Sequence, residues 1–191
     1  MKAGARSLGI AESFAGDDER SVLCGAVVRA DRVVDGFGFG SCSVGGTDAT
    51  DTLVSLHDRV GRDDVRWILL SGIAPAWFNV VDLHGLSAAT DRPVLSVSFE
   101  SSPGLEPALR EAFSDDALDR RLSTYRDQPP RRRLDVNGET VYVRAVGVDG
   151  DRAAELVRAF TPEGGRPEPL RVARLGARAA RRFRGGVDEE A

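Results

Sequence analysis

The sequence predicts an α/β domain built on a mixed sheet: three antiparallel strands, then a parallel β-α-β unit, with flanking helices and an extra C-terminal hairpin. Three observations predict it. Two apolar runs joined by a short turn follow a first strand directly, Ser21 to Val28 and Arg32 to Phe39. Two further apolar runs, residues 65–70 and 93–99, are separated by helix-like sequence. Asn137-Gly138 lies between two alternating runs and is a strong hairpin signal. With 191 residues, the chain is long enough for one domain with a sizeable core.

Taken in order, Leu8 to Phe14 reads as the first strand, ending in the loop 15–19, and the hairpin turn is Arg29-Ala30-Asp31. Ser43-Val44-Gly45-Gly46 breaks the pattern. Asp48 to Gly61 has helical spacing, with Leu53, Leu56, His57 and Val60 on one face and Gly61 at the C-cap. A strand over 65–70, a short helix over 80–89 and a strand over 93–99 form a right-handed crossover. Residues 103–127 read as one or two helices, 132–136 and 140–146 as the hairpin, 151–160 and 167–184 as helices. Three strands, a helix and then parallel βαβ is the element order of an RNase H-like sheet. One domain is expected over 1–184, with 185–191 a disordered acidic tail.

Charge usage is uneven. Of 26 basic residues only Lys2 is lysine, and Asp outnumbers Glu 19 to 11. Such a surface suits a halophilic cytoplasm, although GC-rich coding also favours arginine. Residues 166–184 hold seven arginines against one acid in a chain of net charge −4, a candidate phosphate-binding surface. No apolar run is long enough to span a membrane. The N-terminus lacks the apolar stretch of a signal peptide. Cys24 and Cys42 show no metal or disulfide spacing and read as thiols of a reducing cytoplasm.

Candidate chemistry collects at strand ends, where the chain leaves an α/β sheet. The 65–70 strand exits into Ser71-Gly72, with no acid, histidine or cysteine in the next five residues. Asp48 and Asp51 beside Gly45-Gly46 either hold a divalent cation or cap the following helix as Ncap and N3. Glu12 either faces solvent on an edge strand or faces the strand-end cleft with Asp48. Trp77, Phe78 and Asn79 either stack on and read a base or roof the core, with Asp82 opening the next helix. Arg171, Arg174, Arg178 and Arg181 form one helical stripe, opposite Val172, Leu175, Ala179 and Phe183. The stripe is either a phosphate contact or a solvated face. Neither His57 nor His84 has the partners of a triad or zinc site.

Four pieces then carry a family resemblance: Leu8-Gly9-Ile10, Gly45 to Asp51, Gly72-Ile73 with Phe78 to Asp82, and Gly165 to Ala173. Together they resemble the archaeal domain-of-unknown-function 99 family, itself similar to endonuclease V, from about residue 3 to residue 183. The resemblance implies an RNase H-like fold and descent from magnesium-dependent enzymes that cut near deaminated adenine. It also implies carboxylates or a histidine where this chain has Ala11, Ser71 and Arg174. Only Asp48, or Asp51, matches a family carboxylate.

The expectation is therefore an endonuclease V-like, catalytically impaired domain that binds RNA or DNA. Ser71, Gly72, Trp77, Phe78, Asn79, Arg171, Arg174 and Arg178 would contact nucleic acid. No cofactor is expected, or Mg²⁺ at Asp48. Two alternatives remain: a residual metal-dependent endonuclease using Asp48, Asp51 and Glu12, and a protein-interaction scaffold.

Overall fold

Seven strands form one sheet in the order β3-β2-β1-β4-β5-β7-β6 in a computed structural model that describes residues 1–188. They are β1 (Arg6–Ser13), β2 (Arg20–Arg29), β3 (Val34–Ser43), β4 (Val65–Ser71), β5 (Val94–Ser98), β6 (Arg132–Val136) and β7 (Glu139–Val146). β1 pairs antiparallel with β2 and parallel with β4, and β4 pairs parallel with β5. The β6–β7 hairpin joins through β7, antiparallel to β5. Asn137 and Gly138 both have positive φ, 50° and 83°, as the tight hairpin turn requires.

Helix α1 (Ala49–Val60) covers one face of the sheet, with Leu53 and Leu56 in the core. It ends where the spacing predicts, at Gly61 in the left-handed conformation (φ 59°). The other helices are α3 (Leu83–Thr90), α4 (Glu106–Ala112), α5 (Asp115–Arg126), α6 (Gly150–Ala159) and α7 (Glu168–Asp188). Between β4 and α3 lies α2 (Pro75–Phe78), a single turn rather than a regular helix. Ala76, Trp77 and Phe78 follow one another at φ 49°, 53° and 63°.

Helix α7 packs on the opposite face, across β1 and β2. Its buried side differs from the expected stripe: Leu170, Val172, Ala173 and Ala177 are covered, while Leu175 and Phe183 are 55% and 76% exposed. The reason is close approach. A Cβ on Gly9 would lie 2.3 Å from the Pro169 backbone, and one on Gly176 2.6 Å from the Cys24 sulfur. Helix and sheet meet through small residues, so the bulky apolar positions fall outside. The helix continues through residues 185–188, expected as tail, and 189–191 lie outside the described residues. No helix among the described residues is long and apolar enough to cross a membrane.

Candidate nucleic-acid interface

β1 and β4 are central and parallel, so their C-terminal ends open side by side. The last parallel pair is Ile10 with Leu70, and one step beyond come Ala11 and Ser71. Ser71 also pairs with Val97 of β5. Gly72 then turns the chain out of the sheet at φ 86°.

Ala11 offers no donor atom and lies buried under α7 with Ala26, Val28, Val172 and Ala173. The pairing of β1 with β2 is unbroken through Ala11–Cys24 and Glu12–Leu23. Glu12 therefore alternates to the α1 side, beside Ile10, Leu23 and Leu53. The edge-strand expectation for Glu12 fails because β1 is flanked by strands on both sides. Its carboxylate is instead satisfied locally, with Ser21 Oγ donating to Oε2 at 2.5 Å.

Asp48 precedes α1 but does not cap it through its side chain. The carboxylate turns back to the exit of β3. Oδ1 accepts from the Ser43 amide at 3.0 Å and from Asn79 Nδ2 at 2.7 Å. Oδ2 accepts from the same amide and from Ser43 Oγ, both at 3.1 Å. Burial works to raise the Asp48 pKa, but the hydrogen bonds from Asn79 and Ser43 outweigh it and hold the carboxylate below its ordinary value. The helix cap comes from Asn79, whose Oδ1 accepts the Ala49 amide at 2.9 Å. Asn79 is fully buried, so it locks the turn rather than reading a base edge. Asp51 is exposed on the first turn of α1.

The buried Cys42 lies near both acids: burial first, then Asp48 and Glu12, push its thiol up to about 12. Cys24 is likewise pushed up to about 12 by burial. Among the described residues, no three of His, Cys, Asp and Glu stand together as a metal-holding group. The magnesium expected from the resemblance does not fit this donor set. Ala11 cannot ligate, Arg174 is cationic, and Asp48 is left without the further ligands a magnesium ion needs among the described residues.

What faces Ser71 is an arginine. Arg166 Nη1 lies 3.4 Å from Ser71 Oγ, and its guanidinium sits 3.7 Å over the Phe99 ring. Burial and then the neighbouring Arg174 and Arg178 lower the Arg166 pKa. Ser71, Gly72, Arg166 and Arg174 line a cleft of about 360 Å³ at the strand ends, joined by Arg131 and Arg144. None of these four arginines is ion-paired with a carboxylate among the described residues. Arg171 differs: it is bound by two hydrogen bonds, 2.6 and 2.7 Å, to Glu168. Arg178 is exposed on α7. Sequence reasoning missed Arg131, Arg144 and Arg166, although Arg166 stands inside the Gly165–Ala173 piece that carried the resemblance.

Trp77 and Phe78 do not line this cleft; its aromatic walls are Phe99, Tyr125 and Tyr142. Trp77 is half-exposed and packs with Phe78 and Phe113 at centroid distances of 5.8 and 5.2 Å. Its ring lies against Gly45, where a Cβ would come within 2.7 Å. The left-handed turn beneath it is held by the Gly45 amide donating to Ala76 O at 2.7 Å. Arg121 adds bonds to Phe78 O and Gly46 O at 3.2 and 3.0 Å.

The mixed seven-stranded sheet with its flanking helices is the RNase H-like fold of endonuclease V, as solved structures show. Endonuclease V of Ciona intestinalis, in complex with a 24mer DNA containing an inosine followed by a ribo-adenosine, superposes with TM-score 0.64. It is 13% identical, covering 94% of this chain and 87% of that one. Human endonuclease V gives TM-score 0.64 at 17% identity, covering 95% and 86%. The crystal structure of a protein of unknown function from Archaeoglobus fulgidus gives TM-score 0.80 at 30% identity, covering 92% and 97%.

The chain belongs to the Endonuclease dU family, which it matches over residues 3–181. A UPF0215 protein of Pyrobaculum aerophilum is 37% identical over 181 residues, 92% of this chain and 94% of that protein. One from Thermococcus gammatolerans is 38% identical over 163 residues, 84% and 81% respectively.

Proposed function

We propose that this endonuclease V-like domain binds nucleic acid at its strand-end cleft and has lost metal-dependent cleavage. The observation that carries the reading is Arg166 on Ser71 Oγ with Arg174 beside it. Two-metal phosphodiester cleavage needs converging carboxylates at this edge of the sheet. Arginines there would repel Mg²⁺ and attract phosphate. Endonuclease V relatives in fold that are solved with inosine-containing DNA support a nucleic-acid ligand in general.

The experiment is a binding and cleavage assay with RNA and DNA containing inosine or deoxyuridine, in Mg²⁺ or Mn²⁺, over a range of salt. Binding without cleavage is expected, weakened by Arg166→Gln and Arg174→Gln. If the cytoplasm is halophilic, the assay salt must be high, where the Debye length is only about 3 Å and contacts act at short range.

A second reading, residual nuclease activity through Asp48 and Glu12, is favoured by one observation: Glu12 accepts from Ser21, which pairs with Cys42, and Asp48 accepts from Ser43, the next residue, so the two acids share one neighbourhood. It predicts cleavage that Asp48→Ala abolishes.

A further inference from the structure

The cleft carries more fixed cation than an internal phosphodiester requires. Its four arginines are held in different ways. Arg131 lies 3.9 Å over the Tyr142 ring and donates to Ser102 O and Oγ at 3.1 and 3.0 Å. Its Nε is buried without a partner. Arg144 lies 5.0 Å over the Tyr125 ring, donates to the Tyr125 hydroxyl at 3.0 Å and also donates to the Pro129 carbonyl. Arg166 lies over Phe99, as described, and only Arg174 reaches in from an exposed position on α7. Three guanidiniums thus rest on aromatic faces, so their orientation is set before any ligand arrives. The one carboxylate in the wall, Glu100, is exposed and forms no ion pair with them among the described residues, although Arg131 Nη2 donates to the Glu100 carbonyl.

We infer that this cleft takes the terminal phosphate monoester of a nucleotide, either at a phosphorylated strand end or on a free mononucleotide. The inference rests on the nucleic-acid reading above and narrows it from any stretch of strand to a strand end. A phosphodiester carries one negative charge and must continue on both sides. A phosphate monoester carries about −1.5 to −2 near neutral pH and offers three acceptor oxygens. The forks of Arg166 and Arg174 match that group bidentately, while Arg131 and Arg144, held to protein oxygens, add fixed positive charge beside it. The volume of about 360 Å³ falls at the small end of the range for ligand pockets, which suits one nucleotide. Hydroxyls of Ser71, Ser96 and Ser98 add acceptor and donor groups along the floor.

The test compares one short oligonucleotide in three forms, 5′-phosphorylated, 3′-phosphorylated and unphosphorylated, by fluorescence anisotropy with the full chain. Nucleoside 5′-monophosphate and the matching nucleoside serve as competitors. One phosphorylated form is expected to bind about tenfold tighter than the unphosphorylated one. The monophosphate should compete and the nucleoside should not. Arg144→Gln combined with Arg166→Gln should abolish the preference, bringing the phosphorylated form down to the affinity the same variant shows for the unphosphorylated one. Arg174→Gln, at an exposed position, provides the same reading if the double variant fails to fold. Equal affinity for all three forms, with no competition by the monophosphate, overturns the inference and leaves nucleic-acid binding intact. Failure of every oligonucleotide to bind, with phosphate-dependent binding of the mononucleotide, overturns the nucleic-acid reading and assigns the pocket to free nucleotide.

Discussion

Asn79 joins two elements through one side chain: its Nδ2 donates to Asp48 Oδ1 at 2.7 Å while its Oδ1 accepts the Ala49 amide at 2.9 Å. A third bond, Nδ2 to Ser43 O at 2.9 Å, ties both to the end of β3. The entry to α1 is thus anchored from the β4–α3 loop, 31 residues away from Asp48 in the chain.

Asn79→Ala should therefore destabilise the fold by about 2–4 kcal/mol, because it uncaps α1, leaves the buried Ala49 amide without its partner and removes one of the hydrogen bonds to the Asp48 carboxylate. Urea unfolding measures this. A loss below about 0.5 kcal/mol would place the cap elsewhere.

Asp48 gives a pH dependence with a definite sign. Its folded pKa lies below the ordinary value of 3.8. The contribution is then fully present above that value and is lost as pH falls through the folded pKa. Asp48→Asn should flatten the acid limb of the stability profile and change little at pH 7 beyond a constant offset. Thermal melts between pH 2 and pH 7 (a range chosen to bracket the carboxylate pKa values) compare the two proteins.

Gly9 sets the distance between α7 and the sheet. A Cβ there meets Pro169 backbone atoms at 2.3–2.4 Å, contacts that no side-chain rotation relieves. Gly9→Ala should cost at least about 1–3 kcal/mol as an overpacking change. Gly36→Ala, also in the β1–β3 region but with open space around its Cβ, is the matched control and should be near neutral. Equal effects would contradict the packing described for α7.

The thiols offer a check on the core. Cys24 and Cys42 are buried, with pKa values pushed up to about 12. Little thiolate is available at pH 8, so both should resist a thiol reagent in the native protein and react once it unfolds. Fast native labelling would place the end of β3 in an open state.

Much of the fold was legible because its signals are local. The Val65–Ser71 run, the Asn137-Gly138 turn and Gly61 at a helix end each act through their own backbone preferences. The phase of α7 was not legible, since Leu175 and Phe183 look like core positions until Gly9 and Gly176 bring the backbones together. The site divides the same way. Ser71 stands out in the sequence as a strand exit without an acid, and Ala11 only through the family resemblance. The arginines that occupy the space come from three separate segments, at 131, 144 and 166–174, which only the sheet order brings together. Asn79 was misread because its partners, Ser43 and Asp48, are distant in sequence.

Arg166 separates ligand binding from stability. Its removal relieves the burial of a charge and then the repulsion with Arg174 and Arg178, so Arg166→Met should leave the ligand-free protein at least as stable. Duplex affinity should fall, with the slope of log K against log salt reduced by about 0.9 if one phosphate contact is lost. Arg171→Met should change the slope much less, because Glu168 already holds that guanidinium.

The central claim concerns cleavage. Purified protein is incubated with end-labelled DNA and RNA containing inosine or deoxyuridine, in Mg²⁺ and separately in Mn²⁺, beside an Asp48→Ala control. The arginine-occupied cleft predicts retained binding and uncut strands in every lane. Strand cleavage that disappears in the Asp48→Ala protein would contradict it.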